Sequence, residues 1–210
     1  MDLISGITHI HHASFLIKKE GLTIYVDPFE IIDSKNDADF VFCTHTHYDH
    51  LSVQDIQRVI NKNTILIVTK DGEDKVKHLS VKRIITVKPE MDYETEYLTF
   101  KTVKSYNIGK KFHPELNNWV GYIINIKGIK YYFSGDTDLI PEMKTIKADV
   151  IFLPVGGTYT MNYKEAVEAA NLIKPKIAVP MHFAHLVGNK EDADKFIANL
   201  DKDIEGKILL

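Results

Sequence analysis

The sequence predicts a mixed α/β fold in which two mixed β-sheets are covered by helices. Three observations point there. The chain opens strand-rich, passes through helical patterns, returns to strands and ends on helices. Two short runs, residues 64–68 (Thr-Ile-Leu-Ile-Val) and 150–153 (Val-Ile-Phe-Leu), are almost wholly apolar, as strands buried on both faces are. Lys127-Gly128 separates two apolar stretches, which is a hairpin signal.

Each element has a local reason. Residues 7–10 and 14–18 alternate as strands do; Gly21 then turns the chain and residues 22–26 return, a hairpin-like start. Residues 41–43 close an apolar run as a buried strand. Ser52 is placed to cap a helix running to residue 60, with Asp55 three positions on in a capping-box place. Strand 64–68 follows, then a helix over 71–79 and a strand over 83–87. Residues 94–105 alternate around Tyr97, Phe100 and Val103, and 119–126 and 129–133 form the arms of the hairpin. After strand 150–153, residues 162–174 carry Ala166, Val167, Ala169, Ala170 and Ile173 near a 3.6-residue period, with Asn162 as cap. A strand over 176–180, a helix over 191–200 and an edge strand over 208–210 complete the chain. No linker, repeat or low-complexity tract divides it, so residues 1–210 are expected to form a single domain.

Composition removes several classes of function. The formal charge is −3, and Arg58 and Arg83 are the only arginines, so no basic field awaits long nucleic acid and bidentate phosphate recognition is scarce. One cysteine, Cys43, excludes an internal disulfide and a thiolate metal cage. The first residues lack the basic and apolar regions of a signal peptide, and no apolar run approaches the roughly 20 residues that span a membrane. A soluble, cytoplasmic protein is expected, with oligomerisation open.

The chemistry concentrates in Thr44-His45-Thr46-His47-Tyr48-Asp49-His50. This His-x-His-x-Asp-His segment lies between an apolar strand and a helix start, where α/β folds gather functional loops. Imidazole nitrogen and carboxylate oxygen are donors that zinc, manganese and iron accept. His45 and His47 can share one metal on extended backbone, while Asp49 and His50, past the turn, can address a second. Other strands end in similar groups: Asp27 after 22–26, Asp136 after 129–133, His182 after 176–181 and Asn107 after 94–105.

In this order the residues resemble the metallo-β-lactamase-fold hydrolase superfamily, over about residues 7–196. His12-Ala13-Ser14-Phe15, Ile140-Pro141-Glu142-Met143 and residues 154–161 resemble its small prokaryotic branch of ascorbate-6-phosphate lactonase-like proteins. The resemblance implies a four-layer αββα sandwich and a dinuclear centre, with zinc expected and manganese or iron as alternatives. His45 and His47 would hold the first metal, Asp49, His50 and His182 the second, and Asp136 would bridge them. Asp27 would accept the far N–H of a ligand histidine. A metal-bound hydroxide would attack a carbonyl or phosphoryl centre, with Asp49 as proton acceptor.

One departure is visible. The superfamily usually supplies a third histidine to the first metal near residues 105–107, where this chain has Asn107; His113 is the nearest imidazole. Asn107 is expected near the first metal, with His113 at the pocket mouth; the alternatives are that His113 reaches back from the loop over 109–114 to complete the first site, or that the first metal is weakly held or absent. His12, His113, Tyr159 and His185 are candidates to line the substrate, which is expected to be small and anionic, with Lys110 and Lys111 as possible contacts. The expected function is hydrolysis of a small ester, lactone or phosphodiester. The alternatives are a nuclease or cyclic-nucleotide phosphodiesterase, and a non-catalytic metal- or ligand-binding module with an incomplete dinuclear site.

Overall fold

Left-handed backbone at paired turn residues sets the hairpins. Glu20 and Gly21 have φ of 53° and 77°, and Lys127 and Gly128 have 50° and 87°, the two-residue turn geometry whose twist matches antiparallel strands. The computed structural model describes residues 2–209, which divide into two compact units: Ser5–Lys88, and residues 2–4 with 89–209.

The Ser5–Lys88 unit holds six strands: β1 Ile7–His11, β2 Ser14–Lys19, β3 Leu22–Val26, β4 Phe40–Phe42, β5 Ile65–Thr69 and β6 Arg83–Val87. They lie in sequence order; the first three are antiparallel and β3 to β6 parallel. Helix α1, Val53–Val59, follows β4. Ser52 caps it, its hydroxyl accepting from Asp55 N–H at 3.3 Å and donating to Asp55 Oδ2 at 2.7 Å. Tyr25, Val41, Cys43, Leu66 and Val68 on one sheet face pack with Ile56 and Val59 of α1 and with Val76 of α2, Glu73–Val76. Burial of each such aliphatic side chain contributes about 1.5–3 kcal/mol before entropy is charged against it.

The second unit holds seven strands: β7 Asp92–Glu94, β8 Thr99–Lys104, β9 Val120–Ile126, β10 Ile129–Phe133, β11 Val150–Pro154, β12 Ile177–Met181 and β13 Glu205–Gly206. Their order is the reverse of the sequence, β13 to β7. Strands β7 to β10 are antiparallel, and β10 to β13 parallel. Pro180 is tolerated in β12 because β13 pairs only Ile177 and Ala178, leaving an edge beyond them. Helix α3, Tyr163–Ile173, is fixed at its start by a capping box: Asn162 Oδ1 accepts from the N–H groups of Lys164 and Glu165, and Glu165 Oε2 accepts from Asn162 N–H at 2.8 Å. Its Ala166, Ala169, Ala170 and Ile173 meet Ile151, Leu153 and Ala178 together with Ala193 and Phe196 of α4, Lys190–Ala198.

The expected class, two mixed sheets with flanking helices, is what the chain adopts. Three elements differ. The helix expected over 71–79 is a 3₁₀ turn, Lys70–Gly72, followed by the single turn α2. Residues 94–105 divide between β7 and β8. The final edge strand is Glu205–Gly206 rather than 208–210; Ile208 packs against the core instead, and Leu210 lies outside the described residues.

Candidate metal sites

The first ligand set belongs to the Ser5–Lys88 unit. Strand β4 ends at Phe42, and Cys43 and Thr44 lead into the histidine segment. Thr44 is the organiser. Its N–H and hydroxyl both donate to the Asp27 carboxylate at 2.7 Å, and its Oγ1 lies 3.0 Å from His45 Nδ1. Because the single hydroxyl proton goes to Asp27, Oγ1 accepts from His45 Nδ1–H, which leaves His45 Nε2 as a lone-pair donor. That nitrogen is 3.0 Å from His47 Nδ1. Asp27 Oδ2 also takes His50 Nδ1–H at 2.7 Å, so His50 Nε2 presents its lone pair, 3.5 Å from Asp49 Oδ2. Two acceptors held face to face repel unless a cation or a proton stands between them. The donor set therefore fits a metal ion, and its nitrogens and oxygens suit zinc, manganese or iron.

Asp27 thus holds the His50 ring through its Nδ1. Burial pushes its carboxyl above the ordinary range, opposed by the His50 ring and the two donors of Thr44. His12 Nε2 lies 3.3 Å from Asp49 Oδ2, and both residues are buried. The His12 carbonyl is held by His9 Nε2 at 2.8 Å, the His9 ring being stacked on Phe15. His12 and Asp27 have φ of 53° and 45°. Non-glycine residues pay to stay left-handed, and buried functional groups are where that cost is met.

The second set belongs to the other unit. Asp136 Oδ2 has His182 Nε2 at 3.1 Å and His113 Nε2 at 3.3 Å. His182, just beyond β12, is also left-handed with φ of 56°. Gly156 lies against its backbone: a Cβ there would come within 2.3 Å of the His182 carbonyl oxygen, so only glycine lets the histidine sit where it does. Ser105 Oγ donates to the Asp136 carbonyl at 3.0 Å, tying the end of β8 to the Asp136 turn.

Several expectations are corrected. His113 is not at a pocket mouth: it is 1% exposed. Asn107 is buried with its oxygen 2.8 Å from His113 Nδ1 and its amide nitrogen 3.1 Å from Asp138 Oδ1, so both ends of its side chain are engaged within the protein. Lys110 is not a spare cation; its ammonium bonds Asp138 Oδ1 at 2.5 Å and the Thr160 carbonyl at 2.8 Å. His185 is exposed on the loop after His182. Tyr159 is half-buried, edge-on to Phe112 with ring centroids 4.5 Å apart. Sequence reasoning passed over Thr44, Gly156 and the structural role of Asp138. Thr44, interposed between a strand and the first ligand, was the readable signal. A concavity of about 570 Å³ over β7 to β9, lined by Asp92, Lys101, Asn125 and Lys130 among others, contains none of these ligands.

A family model described as the beta-lactamase superfamily domain matches residues 6–182. The chain belongs to the metallo-β-lactamase superfamily. Within that superfamily it falls among the UPF0173 metal-dependent hydrolases. The member from Staphylothermus marinus is 31% identical over 238 residues, covering 97% of this chain and 94% of that protein. The member from Carboxydothermus hydrogenoformans is 29% identical over 199 residues, 84% of each. The crystal structure of a candidate metal-dependent hydrolase from Parabacteroides distasonis matches with a TM-score of 0.82 at 31% identity, covering 97% of this chain and 91% of that one. A metallo-β-lactamase-superfamily chain with these histidine and aspartate groups is a metal-dependent hydrolase at the level the family name carries.

Proposed function

We propose that this chain hydrolyses a small ester or lactone, with a phosphodiester as the next substrate class. The observation that carries the reading is the opposed-acceptor geometry of His50 Nε2 and Asp49 Oδ2, enforced from behind by Asp27. His45, His47, Asp49 and His50 are the proposed ligands in the Ser5–Lys88 unit, and Asp136 and His182 those in the other, for two ions of zinc, manganese or iron. When bound, such ions supply Lewis acidity, acidifying a water and polarising the oxygen of the scissile bond.

The protein's own residues divide the remaining work. Asp27 and Thr44 fix ring tautomers. Asp49 accepts the proton of the attacking water. Ser52, Ser134 and Cys43 are not placed to attack instead. Ser52 is committed to its helix cap, and Ser134 is buried with its hydroxyl on the Gly135 carbonyl at 2.9 Å. Cys43 is buried and its thiol is pushed well above the ordinary range by burial and by the nearby Asp27 charge. A phosphorylated sugar lactone remains within the proposed class through the likeness to the lactonase-like branch, with Lys111 as an exposed cation for the phosphate. A cytoplasmic setting and a small anionic substrate are proposed on the sequence composition. No helix among the described residues is long and apolar enough to cross a membrane.

The test is a panel of nitrophenyl esters, lactones and bis-nitrophenyl phosphate, assayed with zinc, manganese and iron in turn. Turnover that disappears in Asp49→Ala supports the reading. Turnover absent throughout the panel from metal-replete protein, or undiminished in Asp49→Ala, overturns it.

A further inference from the structure

The histidine segment is held from two directions. Asp27 and Thr44 act on the His45 and His50 rings from the end of β4. Thr46, between the first two histidines, is held by a different element. Strand β5 is the parallel neighbour of β4 and ends at Thr69, and the 3₁₀ turn Lys70–Gly72 and α2 follow it. The Thr69 hydroxyl donates to Asp71 Oδ1 at 2.6 Å, and the Thr46 hydroxyl donates to Asp71 Oδ2 at 2.9 Å. One turn on, the Lys75 ammonium donates to the Thr46 carbonyl at 2.9 Å. Buried Gly72 lets the turn come this close: a Cβ there would lie 3.4 Å from Thr46 Cγ2 and 2.7 Å from Leu51 Cδ1.

Asp71 and Lys75 are exposed and Thr46 is half-buried. Ordering long charged side chains at a surface costs entropy that a surface bond barely offsets. Here both reach the same residue, one at its side chain and one at its backbone. His45 Nε2 and His47 Nδ1 meet at 3.0 Å, so both rings turn to one side of the chain. Residues two apart do so only while the residue between them keeps its dihedrals. The Thr46 carbonyl belongs to the peptide that leads into His47, so the Lys75 bond fixes the direction of that peptide.

We infer that Asp71 and Lys75 are positioning residues for the His45–His47 pair, acting through Thr46. The short turn and single-turn helix, in place of the longer helix suggested over 71–79, bring a carboxylate and an ammonium four residues apart to one threonine.

The inference rests on the proposed metal ligands, and its test reads no turnover. Metal-free parent and variants are titrated with Co(II) against a competing chelator dye, and the ligand-field absorption of the loaded protein is recorded. Thr46→Val keeps the shape of the side chain and removes its hydroxyl. Lys75→Met removes an ammonium from an exposed position. Each is expected to bind Co(II) about 5–10-fold more weakly than the parent, the worth of one hydrogen bond to a charged group near the surface, and to shift the absorption. Thr46→Ser, which keeps the hydroxyl, should match the parent in both. Asp71→Ala added to Thr46→Val should cost no further affinity, because a positioning residue has no effect once the group it holds is gone. Parent affinity and absorption in Thr46→Val and Lys75→Met, with only the unfolding of metal-free protein altered, would overturn the inference and leave these bonds as a tie between two loops. A further loss of affinity in the double variant would remove Asp71 from the role. Should Thr46→Val fail to fold, Lys75→Met decides by the same two readouts. A parent that takes up no Co(II) would overturn the ligand assignment itself, and the positioning role with it.

Discussion

Asp27 carries three hydrogen bonds on one buried carboxylate, to Thr44 N–H, the Thr44 hydroxyl and His50 Nδ1–H, each at 2.7 Å. Removing it frees two ring tautomers together, since the Thr44 hydroxyl also fixes His45. Asp27→Ala is therefore expected to lower metal affinity about 10–100-fold, measured by chelator competition; affinity within a factor of two of the parent would show that Asp27 serves packing alone. At this scale the sequence was informative where residue type alone limits the options. Four donors in six positions read as candidate ligands, and an aspartate before a proline at a strand end was readable as a partner for one of them, which the bond from His50 Nδ1 to Asp27 now shows. That His113 turns back toward Asn107 was one open alternative, but its burial was not readable, because distance along the chain says nothing of the Asn107 N–H to His113 carbonyl bond. Gly156 was hidden for a related reason: its requirement comes from a carbonyl 26 residues away.

Among the elements, the junction of β10, β11 and β12 depends on Asp149. Its N–H donates to the Lys130 carbonyl, its carboxylate accepts from Lys130 N–H at 3.0 Å and the Lys176 ammonium at 2.8 Å, and its carbonyl accepts from Lys176 and Ile177. Burial pushes this carboxyl up, but the Lys130 N–H and the Lys176 ammonium more than offset it, leaving it below the ordinary carboxylate range. A depressed pKa in the folded state contributes stability that is complete above the unfolded value of about 3.9 and is lost as pH falls through the folded one. Asp149→Asn should then cost on the order of 1 kcal/mol in urea unfolding at pH 7, with the gap from the parent closing below about pH 4. A gap independent of pH would exclude the charge as its source. The sequence disclosed these strands well because 150–153 is apolar on both faces, and α3 because its alanines fall on one side. It misplaced the last strand. Ile208, Leu209 and Leu210 have strand composition, but Gly206 is what fits, since a Cβ there would meet Ile197 at 2.7 Å. The helix over 71–79 was overdrawn for want of a stop signal: polar and apolar residues keep helical spacing after Val76 although the hydrogen bonds do not continue.

For the whole molecule, bound metal should appear as stability. A ligand held at 100 times its Kd stabilises the folded state by about 2.7 kcal/mol, which for a chain of this length is a rise of roughly 5–10 °C in melting temperature. Chelation is expected to lower the melting temperature by that amount, and restored zinc, manganese or iron to recover it. His45→Ala and His182→Ala, one from each unit, should each shrink the response. A melting temperature indifferent to chelator in metal-replete protein would contradict the ligand assignment in both units, and an undiminished chelator response in one variant would remove that residue's set.

Cys43, the chain's one thiol, sits fully buried at the end of β4, its N–H on the Ile67 carbonyl at 2.9 Å, one residue from Thr44. It is therefore a natural clock for breathing of the Ser5–Lys88 sheet. An alkylating reagent can reach it only when β4 detaches from β5, so the rate of modification counts openings of the strand that delivers the histidines. Saturating metal should slow that clock in native buffer, and Asp27→Ala should quicken it.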